Sequence, residues 1–160
     1  MRIGVFSDTH GDISPLCGYT SQLGRLDALF HLGDFASDAP RLGTILGCPY
    51  YAVRGNCDFM SKEVSERIVE LGGKRFYLTH GHQYSNELSL AYKAIENRCD
   101  AILFGHSHTP QLTAHGAVLI CNPGSLSRPR YGQQATCSLI TIENGELYIK
   151  MLSSCSSGML

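Results

Sequence analysis

Residues 1–10, MRIGVFSDTH, contain an apolar run that stops on Asp8 and His10, and this arrangement recurs four more times along the chain. Apolar runs bounded by glycine and turn residues are typical of buried strands. In open α/β sheets, ligands bind just outside the carboxyl ends of the strands. The sequence therefore predicts that five strand ends converge on one site. The later runs are LDALFHLGD at 26–34, YYAVRGNCD at 50–58, RFYLTHGH at 75–82 and AILFGHSH at 101–108.

The first 54 residues alternate strands with helices. A βαβαβ order of this kind indicates parallel strands joined by helical crossovers. The first helix contains two glycines, Gly18 and Gly24, which lower helix stability. The strands are predicted at 1–6, 26–32 and 49–54, and the helices at 15–26 and 39–46.

The rest of the chain is predicted to contain one further helix and several strands. Segment 63–71 fits an amphipathic helix or an alternating strand, and we favour the strand. The helix covers 86–97, where Leu88, Ala91 and Ile95 recur at helical spacing. Strands are predicted at 74–79, 101–104, 111–115, 117–121, 135–142 and 146–152, followed by a frayed tail at 153–160. Without an internal repeat or linker, we expect a single domain over 1–160.

The composition excludes several classes of protein. A net charge of −1, from 13 Lys+Arg and 14 Asp+Glu, gives no strong electrostatic footprint for nucleic acid. No segment reaches the length of a membrane-spanning helix or forms a signal peptide. Seven cysteines without CxxC spacing argue against a disulfide framework and favour a reducing compartment. We therefore expect a cytoplasmic protein that does not bind membranes, with its oligomeric state open and a homo-oligomer among the alternatives.

Three strand ends in the N-terminal half offer metal ligands. Asp8 and His10, two residues apart in an extended segment, point to one side and can share an ion; a polar loop is the alternative. Asp34 has two carboxylate oxygens and can bridge two cations, although Gly-Asp is also an ordinary turn. Asn56 offers a neutral oxygen ligand, and its amide can donate a hydrogen bond to a phosphate oxygen; an Asx turn is equally consistent.

Two His-x-His pairs follow the fourth and fifth apolar runs. His80 and His82 form the first pair, and His106 and His108 form the second. A single histidine near a core is usually structural, but two pairs at equivalent places indicate metal ligands. We assign structural roles to the histidines without such context, which are His31 and His115.

The segment 122–125, NPGS, follows another apolar run. It fits either a plain turn or a loop that folds against the metal site. The nearby Arg128 and Arg130 are candidates for contact with an anionic substrate, although arginines in surface loops usually have no such role.

The candidate ligands are the wrong set for one structural zinc ion, which prefers a closed tetrahedron of Cys and His. A mixture of histidines, two aspartates and an asparagine suits two borderline-hard divalent ions that share a carboxylate. Two such ions can hold a hydroxide nucleophile and clamp a phosphoryl group during in-line displacement. The residues alone therefore predict metal-assisted hydrolysis of a phosphate ester.

The chain resembles the calcineurin-like metallophosphoesterase superfamily in the order of its motifs, which are Asp8-x-His10, Gly33-Asp34, Gly55-Asn56, His80 and Gly105-His106-Ser107-His108. Its small size and the segments GNCD, THGH and NPGS are similar to the YfcE-type phosphodiesterase group, to which a subunit of the retromer coat is related. The resemblance implies an α/β fold, a four-layer αββα sandwich of two mixed sheets flanked by helices. It also implies the ligands: Asp8, His10 and His108 on the first ion, Asn56, His80 and His106 on the second, and Asp34 between them.

Cys57 departs from the pattern of many family members, which have a histidine at this place that is thought to protonate the leaving group. A thiol has a reference pKa of about 8.5 and is a weak hydrogen-bond donor, so Cys57 cannot easily replace that histidine. The YfcE-type resemblance therefore favours phosphodiesters over monoesters. We assign His82 as a substitute proton donor or as a partner of the ligand His80.

The sequence thus predicts a phosphodiesterase that acts on a small phosphodiester, with two divalent metal ions as cofactors. Mn²⁺ is the expected ion, with Ni²⁺, Zn²⁺, Fe²⁺ and Mg²⁺ as alternatives, because ligand type selects only loosely among divalent ions. Two other functions stay open: a scaffold like the retromer subunit, with a vestigial metal site, and a phosphomonoesterase. The presence of all seven ligand positions favours the enzyme over the scaffold.

Overall fold

The structure is a computed structural model that describes residues 1–153. Within these residues the chain forms ten strands, three α-helices and two 3-10 helices. The strands are β1 Arg2–Phe6, β2 Ala28–His31, β3 Tyr50–Ala52, β4 Glu66–Leu71, β5 Lys74–Thr79, β6 Ala101–Leu103, β7 Pro110–His115, β8 Val118–Pro123, β9 Thr136–Glu143 and β10 Glu146–Ser153. The α-helices are α1 Thr20–Leu23, α2 Ala39–Leu46 and α3 Glu87–Glu96, and the 3-10 helices cover Ser14–Gly18 and Ala36–Asp38.

The strands form two mixed sheets of five strands each. The first sheet has the order β10-β9-β1-β2-β3, in which β1, β2 and β3 are parallel and β9 is antiparallel to β1. The second has the order β4-β5-β6-β8-β7, in which β5, β6 and β8 are parallel. Each sheet therefore contains three parallel strands whose carboxyl ends point the same way, as the βαβαβ order predicts for the first sheet.

Three apolar layers hold these elements together. The central layer lies between the sheets, where the buried rings of Phe30 and Phe76 lie 5.4 Å apart. A second layer, which includes Leu23 and Leu42, lies between the first sheet and its helices. A third layer contains Leu90 and lies between the second sheet and α3. This succession of helix, sheet, sheet and helix confirms the predicted four-layer αββα sandwich.

The prediction of one continuous helix over 15–26 is wrong. Ser14–Gly18 forms a 3-10 helix, and Thr20–Leu23 forms one turn of α-helix. Gly24 ends this turn with a φ of 59°. A glycine adopts this left-handed conformation without the penalty of a Cβ atom, so the chain leaves the helix there.

Most other elements agree with the prediction to within a few residues. The segment 63–71 forms a strand from Glu66 onward and pairs with β5, which excludes the helical alternative. Helix α3 forms as expected, but its predicted apolar face is divided. Ala91 is buried, whereas Leu88 and Ile95 are about half exposed. Helical spacing alone therefore did not identify the face that contacts the sheet.

The end of the chain is partly described. β10 includes Ser153, so the predicted frayed tail is wrong at this residue, while 154–160 lie outside the described residues. The six cysteines within residues 1–153 are free thiols. No helix in this part of the chain is both long and apolar enough to cross a membrane. The single domain over 1–160 stays a prediction.

Candidate metal centre

The carboxyl ends of the parallel strands meet at one edge of the two sheets. After β1 and β2, the Asp8 N–H donates to Gly33 O at 3.0 Å, and after β5 and β6, the Gly105 N–H donates to His80 O at 3.0 Å. The two sheets are joined at the same edge, since the His106 N–H donates to Asp8 Oδ2 at 3.1 Å. The loops that contain the predicted ligands are therefore neighbours in space.

Four of the predicted ligands form a compact group. The ligand atoms of Asp8, His10, Asp34 and His108 all lie within 4.8 Å of one another. His108 Nε2 is 3.2 Å from Asp8 Oδ1, and His10 Nε2 is 3.8 Å from Asp34 Oδ2. Three of the four are buried and His10 is partly buried, so the group could hold a divalent cation with little access to bulk water.

The remaining predicted ligands lie on the other side of Asp34. His80 Nε2 is 3.3 Å from Asp34 Oδ1 and 3.1 Å from Asn56 Oδ1. The ring of His106 lies 5.3 Å from the ring of His80. Since Oδ2 of Asp34 faces His10 and Oδ1 faces His80, this carboxylate lies between the two groups. Asp34 could therefore contact a cation on either side.

Backbone carbonyls fix two of the imidazole rings. His80 Nδ1 lies 2.7 Å from Leu32 O, and His108 Nδ1 lies 2.7 Å from Arg128 O. A carbonyl oxygen only accepts hydrogen bonds, so Nδ1 of each ring carries a proton and Nε2 is the nitrogen that faces the centre. Nε2 of His80 faces Asn56 Oδ1 at 3.1 Å, and Nε2 of His108 faces Asp8 Oδ1 at 3.2 Å. With Nδ1 protonated, the neutral form of each ring has its free lone pair on Nε2, where a divalent cation could bind.

Asp8 Oδ1 is a buried carboxylate oxygen without a hydrogen-bond partner among the described residues. Its 3.2 Å approach to His108 Nε2 lacks the geometry of a hydrogen bond. Burial raises the pKa of the Asp8 carboxyl, but the neighbouring His108, His80 and Ser7 outweigh burial and hold that pKa below its usual value. The Asp8 carboxylate in turn raises the pKa of His108. A buried, ionised oxygen without a hydrogen bond is costly, so these residues fit a bound divalent cation.

The backbone of the candidate centre is unusual. Residues other than glycine rarely have positive φ, although Asp and His tolerate it better than most. Strained residues of this kind cluster at functional sites, where the surrounding structure holds them in one orientation. Five predicted ligands have positive φ, with values of 54° for Asp8, 46° for His10, 52° for Asp34, 68° for His106 and 57° for His108.

Two glycines allow the ligand loops to approach the carboxylates. A Cβ atom on Gly55 would overlap Asp34 Oδ1. A Cβ atom on Gly105 would overlap Ser7 Oγ and lie 2.8 Å from Asp8 Oδ2. Each glycine directly precedes a predicted ligand, so the absence of a side chain lets that ligand reach the centre.

Asp58 ties two ligand loops together and was not assigned a role from the sequence. Its Oδ2 accepts a hydrogen bond from the Gly55 N–H at 2.8 Å, and its Oδ1 accepts from the N–H groups of Phe35 and Ala36 at 2.9 Å each. The carboxylate thus connects the loop after β3 to the loop after β2. Its local signal in the sequence is an acid three residues after a glycine at a strand end.

His31 and Asp38 hold the first ligand loop through hydrogen bonds to Thr9. Thr9 Oγ1 donates to Asp38 Oδ2 at 2.7 Å and therefore accepts from His31 Nε2 at 3.0 Å. His31 Nδ1 then accepts from the Gly33 N–H at 3.3 Å. Burial lowers the pKa of His31 to about 4, which keeps the ring neutral and maintains these bonds. This is the structural role that the sequence assigned to His31.

The segment 122–125 folds against the centre, which decides between its two predicted alternatives. Asn122 Nδ2 donates to Gly105 O at 2.7 Å, and Ser125 Oγ donates to Asp8 O at 2.8 Å. Both side chains are buried and hold the backbone of ligand loops in both sheets. Arg128 is exposed, and its contact with a substrate stays a prediction.

His82 and Cys57 lie at the solvent side of the centre, and both are exposed. The ring of His82 lies 5.5 Å from the ring of His80 and 6.2 Å from that of His106. Desolvation, followed by the charge of His80, lowers the pKa of His82. Partial desolvation, followed by its interaction with Asp34, raises the pKa of the Cys57 thiol to about 11. Cys57 is therefore a neutral thiol at neutral pH, and it is a poor acid.

The fold and this edge of polar residues define the class of protein. Residues 1–145 match the model of the calcineurin-like phosphoesterase superfamily domain, and the chain belongs to that superfamily. This confirms the resemblance that was drawn from the order of the motifs. The chain is thus a member of a metallophosphoesterase family, with a cluster of residues that could bind divalent metal.

Individual relatives agree with this assignment. The chain is 31% identical over 150 residues to the probable metallophosphoesterase YsnB of Bacillus subtilis, covering 90% of this chain and 86% of that protein. It is 33% identical over 100 residues to the phosphodiesterase YfcE of Escherichia coli, covering 56% of this chain and 50% of that protein. Vps29 from Entamoeba histolytica, solved with zinc, has a TM-score of 0.77 at 18% identity, covering 97% of this chain and 100% of that one. This last similarity shows the fold alone.

A Gly55→Ala substitution is expected to weaken the binding of Mn²⁺ at least about tenfold, because the new methyl group displaces Asp34. Isothermal titration calorimetry measures the affinity, and circular dichroism checks the fold. Gly116→Ala is the matched control: Gly116 is left-handed, but a Cβ atom there has nothing within 4 Å. Wild-type affinity in Gly55→Ala would show that the close approach at Gly55 does not position the ligands.

The metal-free protein is expected to lose stability in acid through His31. Its folded-state pKa of about 4 lies below the unfolded value, so its contribution is present above pH 6.5 and is lost as the pH falls toward 4. Chemical denaturation at pH 7 and pH 4 should show that the stability difference between wild type and His31→Gln shrinks by roughly 3 kcal/mol. A difference that is constant with pH would contradict the assignment of a neutral, buried His31.

Proposed function

We propose that the chain is a phosphodiesterase that hydrolyses small phosphodiesters and that it uses two divalent metal ions, with Mn²⁺ as the expected ion. The proposal takes Asp8, His10 and His108 as ligands of the first ion and Asn56, His80 and His106 as ligands of the second. Asp34 is proposed to bridge the two ions. The family assignment supports a metal-dependent phosphoester hydrolase, and the relative named phosphodiesterase supports the diester.

One observation carries this proposal: imidazole nitrogens and carboxylate oxygens converge on both sides of Asp34. Asp8 Oδ1 is buried without a hydrogen-bond partner among the described residues, and His80 Nε2 faces Asp34 Oδ1 at 3.3 Å. A protein core tolerates a buried carboxylate oxygen of this kind when a cation lies beside it. The two oxygens of Asp34 face different imidazoles, which supports two positions for ions rather than one.

When bound, two divalent ions supply an activated water nucleophile and neutralise charge on the phosphoryl oxygens. The residues of the chain orient the ligand side chains and contact the phosphoryl group. Leu32 O and Arg128 O keep His80 and His108 with Nε2 toward the centre. The exposed Asn56 presents Oδ1 toward His80, and its Nδ2 donates one hydrogen to Cys57 Sγ at 3.5 Å. The second Nδ2 hydrogen can be donated to a phosphoryl oxygen.

Cys57 supports a diester rather than a monoester as the substrate. The pKa of its thiol is raised to about 11, so it is a weak acid beside the candidate centre. A monoester with a poor leaving group needs a proton donor more than a diester with a better leaving group does. The exposed His82 is the proposed substitute, either as proton donor or as a partner that orients His80.

An Asp34→Asn substitution is expected to lower kcat/KM for bis(p-nitrophenyl) phosphate about a thousandfold, because an amide cannot bridge two cations as a carboxylate does. The assay is run with Mn²⁺, Mg²⁺, Ni²⁺ and Zn²⁺ and is repeated with p-nitrophenyl phosphate. The wild type should hydrolyse the diester faster than the monoester, and chelation should abolish both rates.

The control for this substitution is Glu143→Gln, which removes an exposed carboxylate from the far end of β9. It should keep the wild-type rate. Turnover that is absent or independent of metal in the wild type would contradict the enzyme and favour the scaffold with a vestigial site. A faster rate for the monoester would favour the phosphomonoesterase.

A His82→Ala substitution is expected to steepen the dependence of rate on the leaving group. With p-nitrophenol as leaving group the loss should stay within about threefold, whereas with an alkyl alcohol it should reach about a hundredfold. The readout is the slope of log kcat/KM against leaving-group pKa for a series of diesters, with His115→Ala as control. An unchanged slope would exclude proton donation by His82.

A further inference from the structure

A cleft of about 460 Å³ opens beside the candidate metal centre. We propose that it binds an aromatic ester group of the substrate, planar and of the size of a nucleobase. This inference rests on the proposed phosphodiesterase function and adds the class of substrate. The side chains that matter are the apolar Phe35, Pro40, Phe59 and Met60, together with Lys62.

The cleft is continuous with the candidate centre. The ring of Phe35 lies 5.6 Å from the ring of His10, and Phe35 directly follows Asp34. Cys57 also lines the cleft, and its N–H donates to Asp34 Oδ1 at 2.9 Å. A diester whose phosphorus lies at the centre would therefore have one of its ester groups at the mouth of this cleft.

The apolar wall of the cleft is exposed to water. Phe59 is 89% exposed, Met60 is 95% exposed and Phe35 is 39% exposed. Single exposed apolar residues are common on protein surfaces, but three that border one cleft beside a polar centre indicate a binding site. Aromatic rings and a thioether are the side chains that favour a flat aromatic ligand.

The position of Phe35 is fixed by its backbone. It has a φ of 73°, which is rare for a bulky side chain, and its N–H donates to Asp58 Oδ1 at 2.9 Å. The same carboxylate accepts from the Gly55 N–H at 2.8 Å. One residue therefore holds both the aromatic wall of the cleft and the loop that presents Asn56. Because the backbone already holds Phe35 in place, less conformational entropy is lost when a ligand binds.

The charges that line the cleft favour a ligand with a polar edge. Asp58 is engaged by backbone N–H groups, and Glu63 is paired with Arg67 at 2.9 Å. Lys62 has no ion pair among the described residues, so its ammonium group is available to a ligand in the cleft. A ring with acceptor atoms on its edge, as a nucleobase has, would contact both the apolar wall and this cation.

The test keeps the leaving group constant and varies the other ester group. With Mn²⁺ bound, kcat/KM is measured for p-nitrophenyl phenyl phosphate and p-nitrophenyl methyl phosphate. The wild type should prefer the phenyl ester about tenfold or more. The double variant Phe59→Ala with Met60→Ala should reduce this ratio to about two. Both side chains are almost fully exposed, so the variant should fold, and Tyr148→Ala serves as the control for removing an exposed aromatic.

Two results of this assay would overturn the proposal. One is a wild-type ratio near one, and the other is a ratio that the double variant leaves unchanged. Size-exclusion chromatography with light scattering identifies the competing occupant. A wild-type dimer that dissociates in the double variant, with the ester preference retained, would assign this surface to a second copy of the chain.

A binding experiment tests this proposal independently of the proposed function. If the metal-loaded wild type hydrolyses neither ester, the proposed phosphodiesterase function is wrong. Calorimetry with two non-hydrolysable anions still tests whether the cleft binds an aromatic group. Diphenylphosphinate should bind about tenfold tighter than dimethylphosphinate, and the double variant should lose this difference. Equal affinities in the wild type would overturn the cleft proposal.

Discussion

Two carboxylates, Asp8 and Asp34, are buried at the edge where the two sheets meet, with 0% and 3% of their surfaces exposed. Burying an ionised carboxylate costs several kcal/mol unless positive charge or hydrogen bonds compensate for it. Part of the compensation comes from backbone N–H groups, such as that of His106 to Asp8 at 3.1 Å. One oxygen of Asp8 has no such partner among the described residues, and most features of the surrounding loops bring further ligands toward it.

The loops meet this constraint with backbone geometry that is otherwise unfavourable. Five predicted ligands have a left-handed backbone conformation, and the atoms around Gly55 and Gly105 leave no room for a side chain. Asp58 and the buried pair of His31 and Asp38 hold these loops, so that the strain is maintained by contacts outside the centre. The same contacts place Phe35 at the border between the candidate centre and the apolar cleft, which links proposed chemistry and proposed specificity.

The sequence predicted much of this arrangement because its signals are local. Each apolar run stops on a polar residue, and the carboxyl ends of parallel strands share one edge of a sheet. That reasoning brought Asp8, His10, Asp34 and His108 together, and the structure places their ligand atoms within 4.8 Å of one another. The helix over 15–26 failed at two places, because its first part is a 3-10 helix that ends at Gly18 and its second part is one α-helical turn that ends at Gly24.

The sequence by itself determined which chemistry the chain offers: the identity and order of the ligand candidates, and the thiol of Cys57 beside one of them. Only the tertiary structure decided how those groups are used. The proton positions on His80 and His108 depend on carbonyls 48 and 20 residues away, and the approach of His106 to Asp8 spans 98 residues. The cleft beside Phe35 is likewise formed by two separate loops. Hydrogen bonding and burial act between atoms that are close in space, and only folding brings these atoms together.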